Sequence, residues 1–261
     1  MKVKRLNLNF IIGICIISLV LLFVLIGMIY TPYDPNEMNG SIKNIAPNFG
    51  HPFGTDNFGR DILSRVMAGA KTTFFVALLT VAIGATAGTF IGALTGYYGG
   101  WIDEILMRIN DCVTSFPSIL LALVFVSILG PGKYNIIMAL GIIFIPSFAR
   151  VVRSEFITLK QMDFVKNAKL MGAGDFRIMF VHILPNTKPI LLTSITIGFN
   201  NAVLAEAGMS YLQLGVQPPD ASLGRMLSEA QTYLFTAPWY AIAPGVMIVL
   251  TVMGFSLINE H

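Results

Sequence analysis

Six stretches of this chain, roughly 10–30, 73–98, 106–130, 135–152, 188–209 and 239–258, are apolar over close to the length needed to cross a bilayer. A transmembrane helix needs about 20 predominantly apolar residues. The fourth stretch is short and the fifth carries polar residues, yet the pattern as a whole leaves little room for a water-soluble fold. Composition agrees: 55% of the 261 residues are hydrophobic and 12% are charged, where soluble domains carry about 25% charged residues. The expected fold class is an all-α membrane protein of about six transmembrane helices, a single membrane domain over residues 1–261.

The first apolar run follows a basic start, Met1 to Arg5. It is longer than the ~7–15-residue core of a signal peptide, and GMIYTPYDP offers no convincing cleavage site, so 10–30 reads as a retained N-terminal helix. Loop charges set the orientation. With the N-terminus inside and an even number of spans, the inner side holds Lys2, Lys4, Arg5, Arg108, Arg150, Arg153, Lys160, Lys166, Lys169, Arg177 and Lys188. The other side holds Lys43, Arg60, Arg65, Lys71, Lys133 and Arg225. Eleven against six puts both termini in the cytoplasm.

Several kinds of chemistry find no support. Cys15 and Cys112 sit in apolar segments without CxxC spacing and read as small hydrophobes. There is no GxxxxGK[ST] phosphate loop, no HExxH and no GxSxG, and His51, His182 and His261 are far apart in sequence. No basic run interleaved with aromatics suggests nucleic acid. An enzyme is not expected, nor any cofactor or metal bound by this chain.

Two features within the spans stand out. Gly84, Gly88, Gly92, Gly96 and Gly100 recur every four residues. Glycines at that spacing share one helix face and admit a close neighbour, so Gly84, Gly88, Gly92 and Gly96 are candidates for tight helix packing, although glycine is also simply common in membrane helices. Arg108, Asp111 and Glu206 are ionisable residues in or beside spans, and Glu206 follows the polar pair Asn200–Asn201. Such groups are costly in lipid and face a bundle interior, a cavity or the interface. Asp111, Asn200, Asn201 and Glu206 are therefore candidates for lining a translocation pathway; solvation at helix ends is the plainer alternative.

One polar segment interrupts the chain near its middle: VKNAKLMGAGDFRIMFVHILPN, Val165 to Asn186. Within a loop at 154–186, Phe156, Leu159, Val165, Leu170 and Met171 read as one amphipathic helix. Gly172-Ala173-Gly174-Asp175 then breaks it. Phe176, Met179, Phe180 and Ile183 form the apolar side of a second short helix, which Pro185 closes. This helix–turn–helix either docks into a groove of another protein or lies among lipid headgroups.

The segment resembles the EAA loop of binding-protein-dependent ABC importer permeases, whose pattern is Glu-Ala-Ala, three residues, Gly, nine residues, Ile-x-Leu-Pro. Anchored on Gly172, the second alanine falls on Ala168 and the closing Leu-Pro on Leu184 and Pro185. Lys166, Asn167 and His182 depart from it. HPFGTDNFGRDILSRVMAGAKTT, from His51, and MSYLQLGVQPPDASLGRML, from Met209, are similar to two stretches of the dipeptide, oligopeptide and nickel subfamily. The likeness covers about 50–258, and departs at the C-terminus, where such relatives commonly continue with a charged tail.

The resemblance implies a permease subunit of an importer in the bacterial cytoplasmic membrane, carrying peptides, nickel or a chelated metal. It implies a second permease chain, two cytoplasmic ATPase subunits that hold the ATP and Mg, and an extracellular or periplasmic substrate-binding protein. Ala168, Gly172, Ala173, Gly174, Leu184 and Pro185 become the candidates for coupling to the ATPases. A channel or secondary transporter without an ATPase would share the hydropathy but would not need the EAA-like spacing.

Overall fold

The computed structural model describes residues 8–259. Lys2, Lys4, Arg5 and His261 lie outside them, as do both termini. Among the described residues the regular structure is helical. Long helices α1 (Leu8–Ile29), α2 (Ile62–Tyr98), α5 (Lys133–Leu159), α8 (Lys188–Tyr211) and α10 (Trp239–Asn259) are joined through shorter ones: α3 (Gly100–Thr114), α4 (Ser118–Leu129), α6 (Asp163–Leu170), α7 (Asp175–Arg177) and α9 (Leu223–Ala230).

Five helical runs are long and apolar enough to span a membrane, and a bent pair would make a sixth. Three spans differ from the sequence-based expectation. The second span begins at Ile62 rather than near 73, because Asp61 caps it: its carboxylate accepts the Ser64 N–H at 2.8 Å and the Ser64 hydroxyl at 2.7 Å. The third, expected as one helix over 106–130, is two helices meeting at 88°. The break falls at Ser115-Phe116-Pro117, where proline offers no N–H and disfavours helical geometry in the residue before it. The fourth is longer than expected, running through Pro146 to Leu159.

Contacts divide the chain into two compact units, one holding the residues through Leu78, Leu123–Ile137 and those from Phe199, the other Leu79–Ala122 and Met138–Gly198. In the first, α1 and α10 pack beside the start of α2 and α9, around Val20, Val24, Ile62, Val66, Leu223, Met226 and Tyr240. In the second, the remainder of α2 lies against α5. A Cβ placed on Gly84, Gly88 or Gly96 would come within 2.6–2.8 Å of the Cβ of Phe144, Phe148 or Phe156, and one on Gly92 within 2.8 Å of that of Val152. The glycine stripe of α2 is thus where α5 approaches. Gly100 stands apart, at positive φ at the start of α3 with nothing nearby.

Candidate functional site

The polar segment has the helix–turn–helix order its pattern suggested, but its helices begin and end elsewhere. Phe156 and Leu159 end α5, the chain turns through Lys160-Gln161-Met162, and α6 is a separate helix of eight residues. No glycine or proline marks that break. Beyond the second turn, α7 passes into a wide-turn stretch over Ile178–Ile183 and a tight one over Leu184–Thr187, and then into α8. Pro185 therefore closes nothing: at the first turn of a helical stretch its missing N–H costs little, and the run continues from Asp175 to Tyr211.

The turn between α6 and α7 has a definite geometry. Gly172 lies at φ +81°, a conformation glycine adopts without the steric cost a side chain would bring. Its N–H donates to Lys169 O, and the Ala173 N–H reaches back to Ala168 O, both at 3.0 Å. This reciprocal pair is a Schellman motif. It gives Ala168, Gly172 and Ala173 distinct places: third residue from the helix end, left-handed cap, and the residue that closes the loop. Ala168, Ala173 and Leu184 pack partly buried onto a cluster of Tyr97, Val152, Phe156, Val165, Ile178, Met179 and Ile183. Gly174 and Pro185 are exposed.

Upon this buried base stands a knuckle of uncovered apolar side chains. Leu170 is 86% exposed, Met171 89% and Phe176 72%. Val165, Met179 and Ile183, grouped by the sequence with the outward apolar face, are instead buried. Polar ties hold the base. The Tyr97 hydroxyl donates to Asp175 at 2.5 Å, the Lys160 ammonium donates to Tyr97 O, and Arg153 grips Asp103 through two hydrogen bonds of 2.5 and 2.6 Å. No local pattern marks these anchors, whose members lie 50 to 78 residues apart. Of the positions that depart from the EAA pattern, Lys166 is exposed and pairs with Asp163 at 3.1 Å, and Asn167 is exposed.

The pathway candidates fall in different surroundings. Asp111 is exposed on α3 and faces Arg150 at 3.6 Å. Asn201 is exposed, while the Asn200 amide donates to Val252 O at 3.1 Å. Glu206 is fully buried. The Ser210 hydroxyl donates to its Oε1 at 2.6 Å. The hydroxyls of Thr73 and Ser222 also turn to this carboxyl, although its Oε2 forms no hydrogen bond of good geometry. Each of the three hydroxyls in turn accepts a backbone N–H: Thr73 from Leu223, Ser210 from Val216 and Ser222 from Arg225.

A second polar centre went unnoticed in the sequence. In the first unit, Arg60 donates to Asp56 at 2.5 Å and to Glu229 at 2.8 Å, and Arg65, 1% exposed, donates to Glu229 at 3.5 Å and to Pro35 O at 3.1 Å. Glu229 also accepts from Tyr240 at 2.8 Å and from Arg225 at 3.1 Å. Burial raises the pKa of Glu229, but Arg65, the Tyr240 hydroxyl and Arg60 outweigh it and hold the carboxyl below its ordinary value. Burial likewise opposes the Arg60 charge, and Asp56 and Glu229 more than restore it. The arginines belong to the FGTDNFGRDILSR stretch, but their partner lies 164 to 169 residues away.

Several helices of membrane-spanning length and apolarity, with buried charges matched by counter-charges, mark an integral membrane protein. The chain belongs to the family described as binding-protein-dependent transport system inner membrane component, which matches residues 88–261. It is 40% identical over 250 residues to the dipeptide transport system permease protein DppC of Alkalihalophilus pseudofirmus, covering 96% of this chain and 82% of that protein. It is 36% identical over 260 residues to the DppC of Haemophilus influenzae, covering 97% and 88%. It is 40% identical over 230 residues to the glutathione transport system permease protein GsiD of Pectobacterium atrosepticum, covering 88% and 76%. The chain is thus an ABC importer permease of the peptide and oligopeptide subfamily.

Proposed function

We propose that this chain is one of two permease subunits of an importer for small peptides, driven by ATPase subunits that dock on residues 163–187. The observation that carries the docking half is the knuckle of Leu170, Met171 and Phe176, apolar and uncovered on a buried base. Side chains of this kind seek a groove in a partner. The names of the relatives, dipeptide and glutathione permeases, support a short peptide as cargo. Both termini are placed in the cytoplasm, together with the knuckle, on the balance of loop charges. Six spans, counting the bent pair of α3 and α4 as one, satisfy that arrangement.

In this reading ATP binding closes the ATPase pair and moves the knuckle, and the helical run from Asp175 to Tyr211 takes the movement into the membrane. Substrate arrives from a separate binding protein. The test is uptake of labelled dipeptides and glutathione by cells lacking the gene, complemented with wild type or Gly172→Trp. The wild type restores uptake of one of these peptides. Gly172→Trp, which puts a bulky side chain at a left-handed turn in the middle of the docking face, inserts normally but restores none. Normal uptake by the variant refutes the docking role, and no peptide uptake with wild type refutes the cargo.

A further inference from the structure

The first unit carries a groove of about 440 Å³ that the transport reading does not use. Leu19 and Phe23 of α1 and Ile242, Val246 and Leu250 of α10 form its walls, and Pro47, Pro52 and Phe53 of the loop before α2 lie at its rim. None of its twelve lining residues is charged or carries a hydroxyl. The one polar atom of Trp239 is turned away, its indole N–H directed at Thr55 O at 3.5 Å, so the ring alone meets the groove. Gly54 makes room for that ring, since a Cβ there would lie 2.8 Å from the indole.

Water has no partner in such a place, and apolar cavities of only about 150 Å³ stay dry and take up benzene-sized molecules. A peptide is a poor occupant, because nothing here answers the charges at its two ends. The walls are the flanks of two membrane spans whose outward residues, Leu19, Leu22, Leu25, Ile242 and Val249 among them, are more than half exposed. What solvates those flanks is the bilayer, and the groove is continuous with them. Trp239 at its rim fits the preference of tryptophan for the membrane–water boundary.

We propose that this groove is a lipid site that holds one acyl chain of a membrane phospholipid against Trp239, between α1 and α10 and beneath the loop at 47–53. The occupant is hydrocarbon, so selectivity is for chain rather than headgroup.

The experiment is native mass spectrometry of the assembled transporter, extracted in a delipidating detergent, with the full chain as wild type, Ala243→Phe, Ala243→Leu or Leu22→Phe. Ala243 lines the groove and Leu22 is an exposed residue of α1 that does not. The expected result is one phospholipid mass retained by wild type and by Leu22→Phe. That mass falls at least several-fold with Ala243→Phe, and Ala243→Leu covers the event that the phenylalanine prevents assembly. A wild type that retains no lipid, filling variants that retain it in full, or a Leu22→Phe variant that loses it equally overturns the proposal. A filling variant that breaks subunit assembly while lipid content stays unchanged assigns the groove to a partner chain instead.

Discussion

The charges around Arg60 and Arg65 turn inward, whereas the apolar side chains of Leu170, Met171 and Phe176 turn outward, and each arrangement reverses what its composition would suggest. Arg60, Arg65, Asp56 and Glu229 form a closed centre in which every charge meets a counter-charge. Removing one member of such a buried set strands the others, which costs far more than the set contributes net. The segment over 163–187 is also rich in charge, yet its charges lie mainly at the surface and the residues it leaves uncovered are hydrophobic. The first is finished within this chain; the second is built to be finished by another molecule.

Four measurements break or sharpen that contrast. The largest effect is expected from Arg65→Ala, which leaves Glu229 short of a partner and an empty space where a nearly unexposed side chain stood. About 3–5 kcal/mol of stability should be lost, read as a collapse of the thermal midpoint in detergent. A change within half a kcal/mol would mean that the centre is ornamental. Next comes Met179→Ala, in the base beneath the knuckle, where truncating a buried side chain costs about 2–5 kcal/mol. Stability equal to wild type would show that the base is not packed.

The third is acidification. Glu229 is held below its ordinary pKa, so its contribution is complete above the usual carboxylate range near ~4.3. It is lost as the pH falls through the folded-state value. Thermal midpoints followed downward from pH 6 should decline in wild type, and Glu229→Gln, less stable throughout, should decline less steeply over that range. Parallel curves would remove the carboxylate from the account. The smallest effect on stability is expected from Phe176→Ser, within about 0.5 kcal/mol for an exposed position. Peptide uptake should nevertheless fall several-fold. A loss of stability above 1 kcal/mol with normal uptake would make Phe176 part of the core and dissolve the contrast.

That the chain carries five or six apolar spans was legible, because a long apolar run reports its solvent whatever its neighbours are. The bend between α3 and α4 had its signal in Pro117, which the strength of the apolar pattern overrode. The turn at Gly172 was legible as a turn, and its left-handed capping geometry accounts for the glycine. What could not be read was pairing at a distance. Glu229 with Arg60, Tyr97 with Asp175 and Glu206 with Thr73 and Ser222 depend on helices meeting, and no local pattern announces such a meeting. The split of apolar residues into base and knuckle was hidden for the same reason. Leu170 and Met179 look alike until α2 and α5 cover one of them.

The hydroxyl cage about Glu206 bears on how this sequence can change over time. Thr73, Ser210 and Ser222 each accept one backbone amide of the 216–225 stretch, and Ser210 donates in turn to the Glu206 carboxyl. Replacing any of them with an apolar residue strands an amide, and replacing Ser210 also weakens the hold on a buried acid in a single step. The four positions are therefore constrained to drift together or to stand still, and a lineage that loses Glu206 should have rebuilt the whole cage.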